Sequence, residues 1–157
     1  MHRQKYDGGD PGGSPKVSGR YHLGNDRFVA EETWSTLYLA LSPETCLGEL
    51  VRHITPELLP HLNGYRISEL RVTLMAVADC RDATLLGMMT DSLVHDRDYR
   101  ATQHLGAAVV AAGLEGMLVP SATALGDNLI VFTAQMHAVS AIEVVDSRDP
   151  RLFVDRA

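Results

Sequence analysis

The feature that most constrains this chain is the meeting of two incompatible periodicities at Ser42-Pro43. Before it, TLYLAL over residues 36–41 sets Leu37, Leu39 and Leu41 against Tyr38 and Ala40, the period of two that marks a half-buried strand. After it, Leu47, Leu50, Val51 and Ile54 recur at helical spacing, with Cys46 at the edge of their stripe. Serine is a favoured N-cap and proline is pre-set for the first helical position, so the spacing predicts a helix from Pro43 to about Ile54, stopped by Pro56. A strand fed directly into a helix fixes side-chain directions. Tyr38 faces away from the leucine row, and Glu49 falls outside the helical stripe with Thr45 and His53 on its own face, so both can be presented to one cleft.

The remaining pattern is a partial alternation of strands and helices. Glu69 to Cys80 reads as one central strand, with Leu70, Val72, Leu74 and Ala76 opposed to Arg71, Thr73, Met75 and Val77, and a weakly polar outer face that predicts cover on both sides. Tyr99 to Ala112 reads as a helix with Ala101, Leu105, Ala108, Val109 and Ala112 inward, closed by Gly113 in the left-handed position. Met117 to Pro120, Asn128 to Phe132 after a Gly126-Asp127 turn, and Ala141 to Val145 read as short strands. Such incomplete alternation predicts a single α+β domain with a mixed central sheet flanked by helices. Residues 8–15, GGDPGGSP, can form neither helix nor central strand, so residues 1–17 read as a Gly/Pro-rich, partly looped segment before a domain at 18–157. That segment is either a flexible leader or a loop folded over a site.

Charge narrows the function. Fourteen Lys and Arg against 20 Asp and Glu give a net charge of −6, which argues against a general nucleic-acid or anionic-membrane surface but not against an anionic small molecule held by converging arginines. Two cysteines, Cys46 and Cys80, are too few for a disulfide framework. With no signal-like apolar core, and with a longest uncharged apolar run, Leu105 to Leu114, of about half a membrane span, a soluble cytoplasmic protein is expected. Dinucleotide, Walker, nucleophile-elbow and zinc motifs are absent, and the seven histidines lack i, i+4 pairing, so no metal site is expected. Cys46 reads as packing rather than as a nucleophile.

Four stretches remain: Arg20 in SGRYH, Tyr38 in LYLA, Glu49 in LGELVRH and Ser121 in GLEGMLVPSA. Each alone has an ordinary explanation as a solvated arginine, a packed tyrosine, a helix flank or a turn cap. In order, however, they read Gly-Arg-aromatic, Tyr-Leu-Ala, a helical Glu eleven residues on, Ala-x-Gly-x-x-Gly-hydrophobic-Leu-Val-Pro-Ser, then Asn-Leu-hydrophobic-hydrophobic-Phe. That series resembles the RES domain, over roughly residues 18–54 and 98–133 with a start at Met1-His2-Arg3. The resemblance implies a core like that of ADP-ribosyltransferase toxins and an enzyme that consumes NAD by cleaving the nicotinamide–ribose bond. It implies catalytic roles for Arg20, Tyr38, Glu49 and Ser121 and substrate contacts from Arg3, Tyr21, Arg27 and Asn128. Arg27 is the alternative to Arg20, because the separation of Arg20 from Tyr38 is longer than in many members. NAD is then a substrate rather than a cofactor, and the scheme requires no metal.

The residue types suit that chemistry. Loss of nicotinamide builds oxocarbenium-like charge on the ribose, which a fixed carboxylate such as Glu49 stabilises. A pyrophosphate is best held by planar arginine donors, Arg20 and Arg3. Tyr38 is expected to stack on nicotinamide or donate its hydroxyl, and Ser121 to bond the ribose or a phosphate. The acceptor stays open between water, inorganic phosphate and a macromolecule, that is, between a glycohydrolase, a phosphorylase and an ADP-ribosyltransferase, and a non-catalytic binding module that retains the cleft is the further alternative. The resemblance also implies a toxin role with an Xre-type helix-turn-helix antitoxin as partner, in complexes that commonly assemble from several copies.

Overall fold

The Ser42-Pro43 junction forms as its residue types require. β2 spans Thr36–Ala40, Pro43 opens α1 at Pro43–Val51, and the Thr45 amide donates to Ser42 Oγ at 3.1 Å. The computed structural model describes residues 1–11, 14–52 and 62–154, so His53, Ile54 and Pro56 lie outside the described residues. Of the expected stripe, Leu47 is buried and Leu50 half-buried, but Val51 is exposed. The helix is turned by a polar anchor that apolar periodicity does not register: the buried Thr45 donates its hydroxyl to the Leu125 carbonyl at 2.9 Å.

Two sheets carry the fold. β1 (His2–Arg3), β3 (Tyr65–Thr73) and β7 (Ala141–Arg148) form an antiparallel sheet in the order β1-β3-β7. The mixed sheet runs β2, β6 (Asp127–Phe132), β5 (Gly116–Pro120), β4 (Val77–Asp79), with β4 parallel to β5 and the other pairs antiparallel. The α+β class and its mixed sheet are therefore as expected, with a second sheet added. The single strand expected over 69–80 is two strands in different sheets, because the chain crosses between sheets at Leu74–Ala76. Nor is β3 covered on both sides: Glu69, Arg71 and Thr73 are exposed.

α2 (Thr90–Val94), α3 (Arg100–Ala111) and α4 (Arg151–Val154) complete the described α-helices. None is long and apolar enough to cross a membrane. α3 packs through Thr102, Gly106 and Val109, whereas Ala101, Ala108 and Ala112 face solvent. Gly106 decides this orientation, since a Cβ there would lie 2.2 Å from the Tyr21 carbonyl oxygen. The closest approach thus belongs to a residue without a side chain, which an alanine-rich helix does not advertise as its inner face. Beneath α3, Met117, Val119, Ile130 and Phe132 of the mixed sheet join Tyr21, Cys80 and Val109 in the core.

One buried carboxylate ties two of the chain's four crossings between the sheets, β3 to β4 and β6 to β7. Glu115, 2% exposed, accepts from the Met75 amide at 2.5 Å and the Ala76 amide at 3.4 Å on Oε2, and from the His137 amide and Ser140 Oγ on Oε1. Met75-Ala76 links β3 to β4, and residues 133–140 link β6 to β7. Burial pushes the Glu115 pKa up, but the bonds from His137, Ser140, Met75 and Ala76 outweigh it and hold the group at about 2. A folded pKa below the unfolded value means stability that is complete above the ordinary carboxylate range and lost as pH falls through it toward 2. Glu115→Gln should lower the thermal midpoint at neutral pH by several degrees and flatten this acid limb, as followed by circular dichroism. An unchanged acid limb would assign the effect to other groups.

Candidate active site

α1 is seated on the turn that joins β5 to β6, and that seating aims Glu49. The turn closes through the Ser121 amide to the Gly126 carbonyl at 2.9 Å, with Ala124 left-handed at φ 58°. Thr45 grips it at Leu125, and one helical turn later Glu49 grips Ser121. Gly48 lets the helix come close, since a Cβ there would stand 2.8 Å from Leu125 Cδ1.

Both hydrogen bonds to Glu49 fall on one oxygen. Ser121 Oγ donates to Oε1 at 2.6 Å and Asn128 Nδ2 at 3.0 Å, while Oε2 has no partner among the described residues. The carboxylate is half-buried, so it is fixed by one oxygen and offers the other. The buried Ser121 spends its single proton on Glu49, and the Thr123 amide (3.1 Å) and Thr123 Oγ1 (2.7 Å) bond to its oxygen. Ser121 therefore positions Glu49 and has no proton left for a ribose or phosphate, contrary to the direct contact expected of it.

A second fixed segment runs through Gly19-Arg20-Tyr21-His22. The His22 Nε2 lies 2.8 and 2.9 Å from the Ser14 and Val17 carbonyls, which only accept, so Nε2 carries the proton and Nδ1 is an acceptor. Tyr38 then donates its hydroxyl to His22 Nδ1 at 2.9 Å and accepts from the Tyr21 amide at 2.9 Å. Its hydroxyl is fully used within the protein and is not the free donor expected. A Cβ on Gly19 would meet this pair, 2.4 Å from the His22 ring and 2.9 Å from the Tyr38 hydroxyl. From the other side, α3 holds the segment by Gln103 Nε2 to the Gly19 carbonyl at 2.9 Å. Burial lowers the His22 pKa and raises those of Tyr21 and Tyr38, so all three stay neutral near pH 7.

Arg20 is oriented by the chain between α2 and α3. Its Nη1 donates to the carbonyls of Leu93 (3.3 Å) and His95 (2.7 Å), and its guanidinium lies 4.7 Å over the Tyr99 ring, leaving Nε and Nη2 without described partners. The buried Tyr21 phenol feels both the Arg20 and the Glu49 charge. Arg20, Tyr21, Tyr38, Glu49, Ser121 and Asn128 thus gather around one side of the mixed sheet.

Two candidates stand apart. Arg3, on β1 of the other sheet, lines a cavity of about 1180 Å³ between the sheets, whose lining includes Leu37, Tyr38 and Leu39 of β2 and Leu129 but not Glu49, Ser121 or Asn128. Arg27 is exposed, 3.5 Å from Asp26, in a smaller cavity that also reaches Tyr99. Sequence reasoning missed His22, Thr123, Tyr99 and Gln103. Only His22 carried a usable signal, since it directly follows Gly-Arg-Tyr.

Comparison with known proteins agrees with the fold. A family model described as RES domain matches residues 2–155. A solved structure, described as the crystal structure of the M. tuberculosis MbcT-MbcA toxin-antitoxin complex, contains a chain that superposes with a TM-score of 0.81 at 23% identity, covering 98% of this chain and 84% of that one. No curated protein matches the sequence.

Tyr38→Phe should leave the Tyr21 amide and the buried His22 Nδ1 unpaired and cost about 1–3 kcal/mol in denaturant unfolding. Because His22 is neutral in the fold and binds a proton more readily when unfolded, wild-type stability should fall as pH drops below the ordinary imidazole range near 6.5. His22→Asn should weaken that limb, measured by unfolding between about pH 5 and 8.

Proposed function

Because the chain belongs to the RES domain family, we propose that it consumes NAD by breaking the bond between nicotinamide and ribose. The observation that carries this reading is the Glu49 carboxylate, fixed through Oε1 by Ser121 and Asn128 with Oε2 open. A substrate ribose beside Oε2 would meet a negative charge that needs no reorganisation as positive charge grows on the sugar.

In this scheme the C1′–N bond breaks with its electron pair leaving on nicotinamide, which turns from a pyridinium into a neutral molecule. Glu49 Oε2 faces the resulting oxocarbenium and orients the ribose hydroxyls. Water or inorganic phosphate adds through oxygen at C1′ and gives up a proton, making ADP-ribose or its phosphorylated form. Arg20 offers Nε and Nη2 to the pyrophosphate while its Nη1 stays on the Leu93 and His95 carbonyls. Tyr38 acts indirectly by holding Tyr21 and His22, and its ring remains a surface for nicotinamide.

The toxin-antitoxin complex named for the structural neighbour supports a toxin role for this chain with a protein antitoxin as its partner, and on the family resemblance we infer that this antitoxin is of the Xre type. On this reading the protein acts in the cytoplasm, where NAD is available.

Incubation of the purified protein with NAD, with and without inorganic phosphate, should release nicotinamide. Glu49→Gln should lower kcat by about 10²- to 10³-fold. Ser121→Ala should lower it about tenfold, the equivalent of ~1.5 kcal/mol for one hydrogen bond to a charged group. The mass of the ribose-side product names the acceptor. ADP-ribose attached to protein would mark a transferase, and no release under either condition would contradict the proposal.

A further inference from the structure

Beside Arg20 lies a cavity of about 320 Å³ that no step above uses. Arg27, His95, Arg97 and Arg100 line it, together with Asp98 and Tyr99. Its size is at the small end of ligand pockets, about 300–1,000 Å³, and suits one charged group or a fragment of a larger molecule. The local charge opposes that of the whole chain. Four guanidinium groups, counting Arg20 against Tyr99, meet two carboxylates here, Asp26 and Asp98, in a protein of net charge −6.

The carboxylates leave donors over. Asp98 is occupied by Arg100, at 2.6 Å through Nη2 and 2.9 Å through Nε, and also accepts the Arg100 amide at 3.1 Å. Arg27 lies 3.5 Å from Asp26, whose Oδ1 is taken by the Ser18 amide and hydroxyl. The exposed Arg97 side chain makes no ion pair or hydrogen bond with a described residue. His95 Nδ1 accepts from the amides of Arg97 (3.2 Å) and Asp98 (3.0 Å), so its Nε2 bears the hydrogen as one more donor. α3, twelve residues long, begins at this cavity, and its N-cap Tyr99 supplies no side-chain acceptor.

We propose that this cavity is a phosphate-binding subsite, formed by Arg27, Arg97, Arg100 and His95 at the start of α3 and continuous with Arg20 through Tyr99. A phosphate presents several acceptor oxygens at once, the complement of convergent guanidinium forks. Naming its natural occupant, the pyrophosphate of a dinucleotide or free orthophosphate, rests on the NAD reading above. The anion site itself does not.

Pyrophosphate is the probe. Isothermal titration at fixed ionic strength should show saturable binding to the full-length protein, weakened at least about tenfold in Arg97→Ala and further in Arg97→Glu. Arg97 is exposed and its side chain has no partner among the described residues, so both variants should keep the wild-type thermal midpoint. Displacement of pyrophosphate by NAD assigns the site to the dinucleotide, and displacement by orthophosphate but not NAD assigns it to free phosphate. Either supports the subsite. No binding by wild type, or equal binding by wild type and both variants, overturns it. Loss of pyrophosphate binding in Arg97→Ala in a protein whose wild type releases no nicotinamide would retire the NAD reading and leave the anion site standing.

Discussion

Two of the chain's crossings between its two sheets, β3 to β4 and β6 to β7, end on the carboxylate of Glu115, and the placing of the mixed sheet depends on that joint. A buried carboxylate is tolerated only when hydrogen bonds replace the water it has lost, and here Met75, Ala76, His137 and Ser140 supply donors to both oxygens. With the joint closed, β5 and β6 lie side by side, their turn has a defined place, and α1 has something to sit on.

Glu49 makes a telling contrast. Glu115 is saturated and therefore inert, whereas Glu49 is fixed by one oxygen and has no partner at the other among the described residues. The same logic sorts the hydroxyls. Ser121 and Tyr38 each spend their proton inside the protein, so they serve by holding Glu49 and the Arg20 segment in place rather than by touching substrate. A site in which most polar groups are already satisfied, leaving Glu49 Oε2 and the Arg20 Nε and Nη2 without partners among the described residues, has its charge arranged before any ligand arrives, the condition under which electrostatic stabilisation of a transition state is strongest.

Much of this was legible in the residues. The Ser42-Pro43 junction, the left-handed Gly113 and the strand ending at Phe132 follow from local chemistry that acts within a few residues. What escaped depends on distant partners. The 69–80 segment alternates throughout, yet the amides of Met75 and Ala76 are captured by Glu115, about forty residues away, and the strand breaks there. The inner face of α3 was misjudged because the approach of Gly106 to Tyr21 leaves no apolar mark. Arg20, Tyr21, Tyr38, Glu49, Ser121 and Asn128, named from the sequence, lie near one another in the fold, but who donates to whom was not legible, since the tautomer of His22 is set by the Ser14 and Val17 carbonyls. Arg3 lies on β1 of the other sheet, across a cavity from β2, a placement set by pairing with β3 that the sequence does not reveal.

The central claim is that a pre-fixed carboxylate stabilises positive charge on the ribose as nicotinamide departs. The most direct measurement is the α-secondary deuterium isotope effect at C1′ of NAD under kcat/KM conditions. A rehybridising, oxocarbenium-like centre predicts a clearly normal effect. An effect near unity under conditions where bond cleavage limits the rate would mean that little charge develops there, and the role assigned to Glu49 would be wrong.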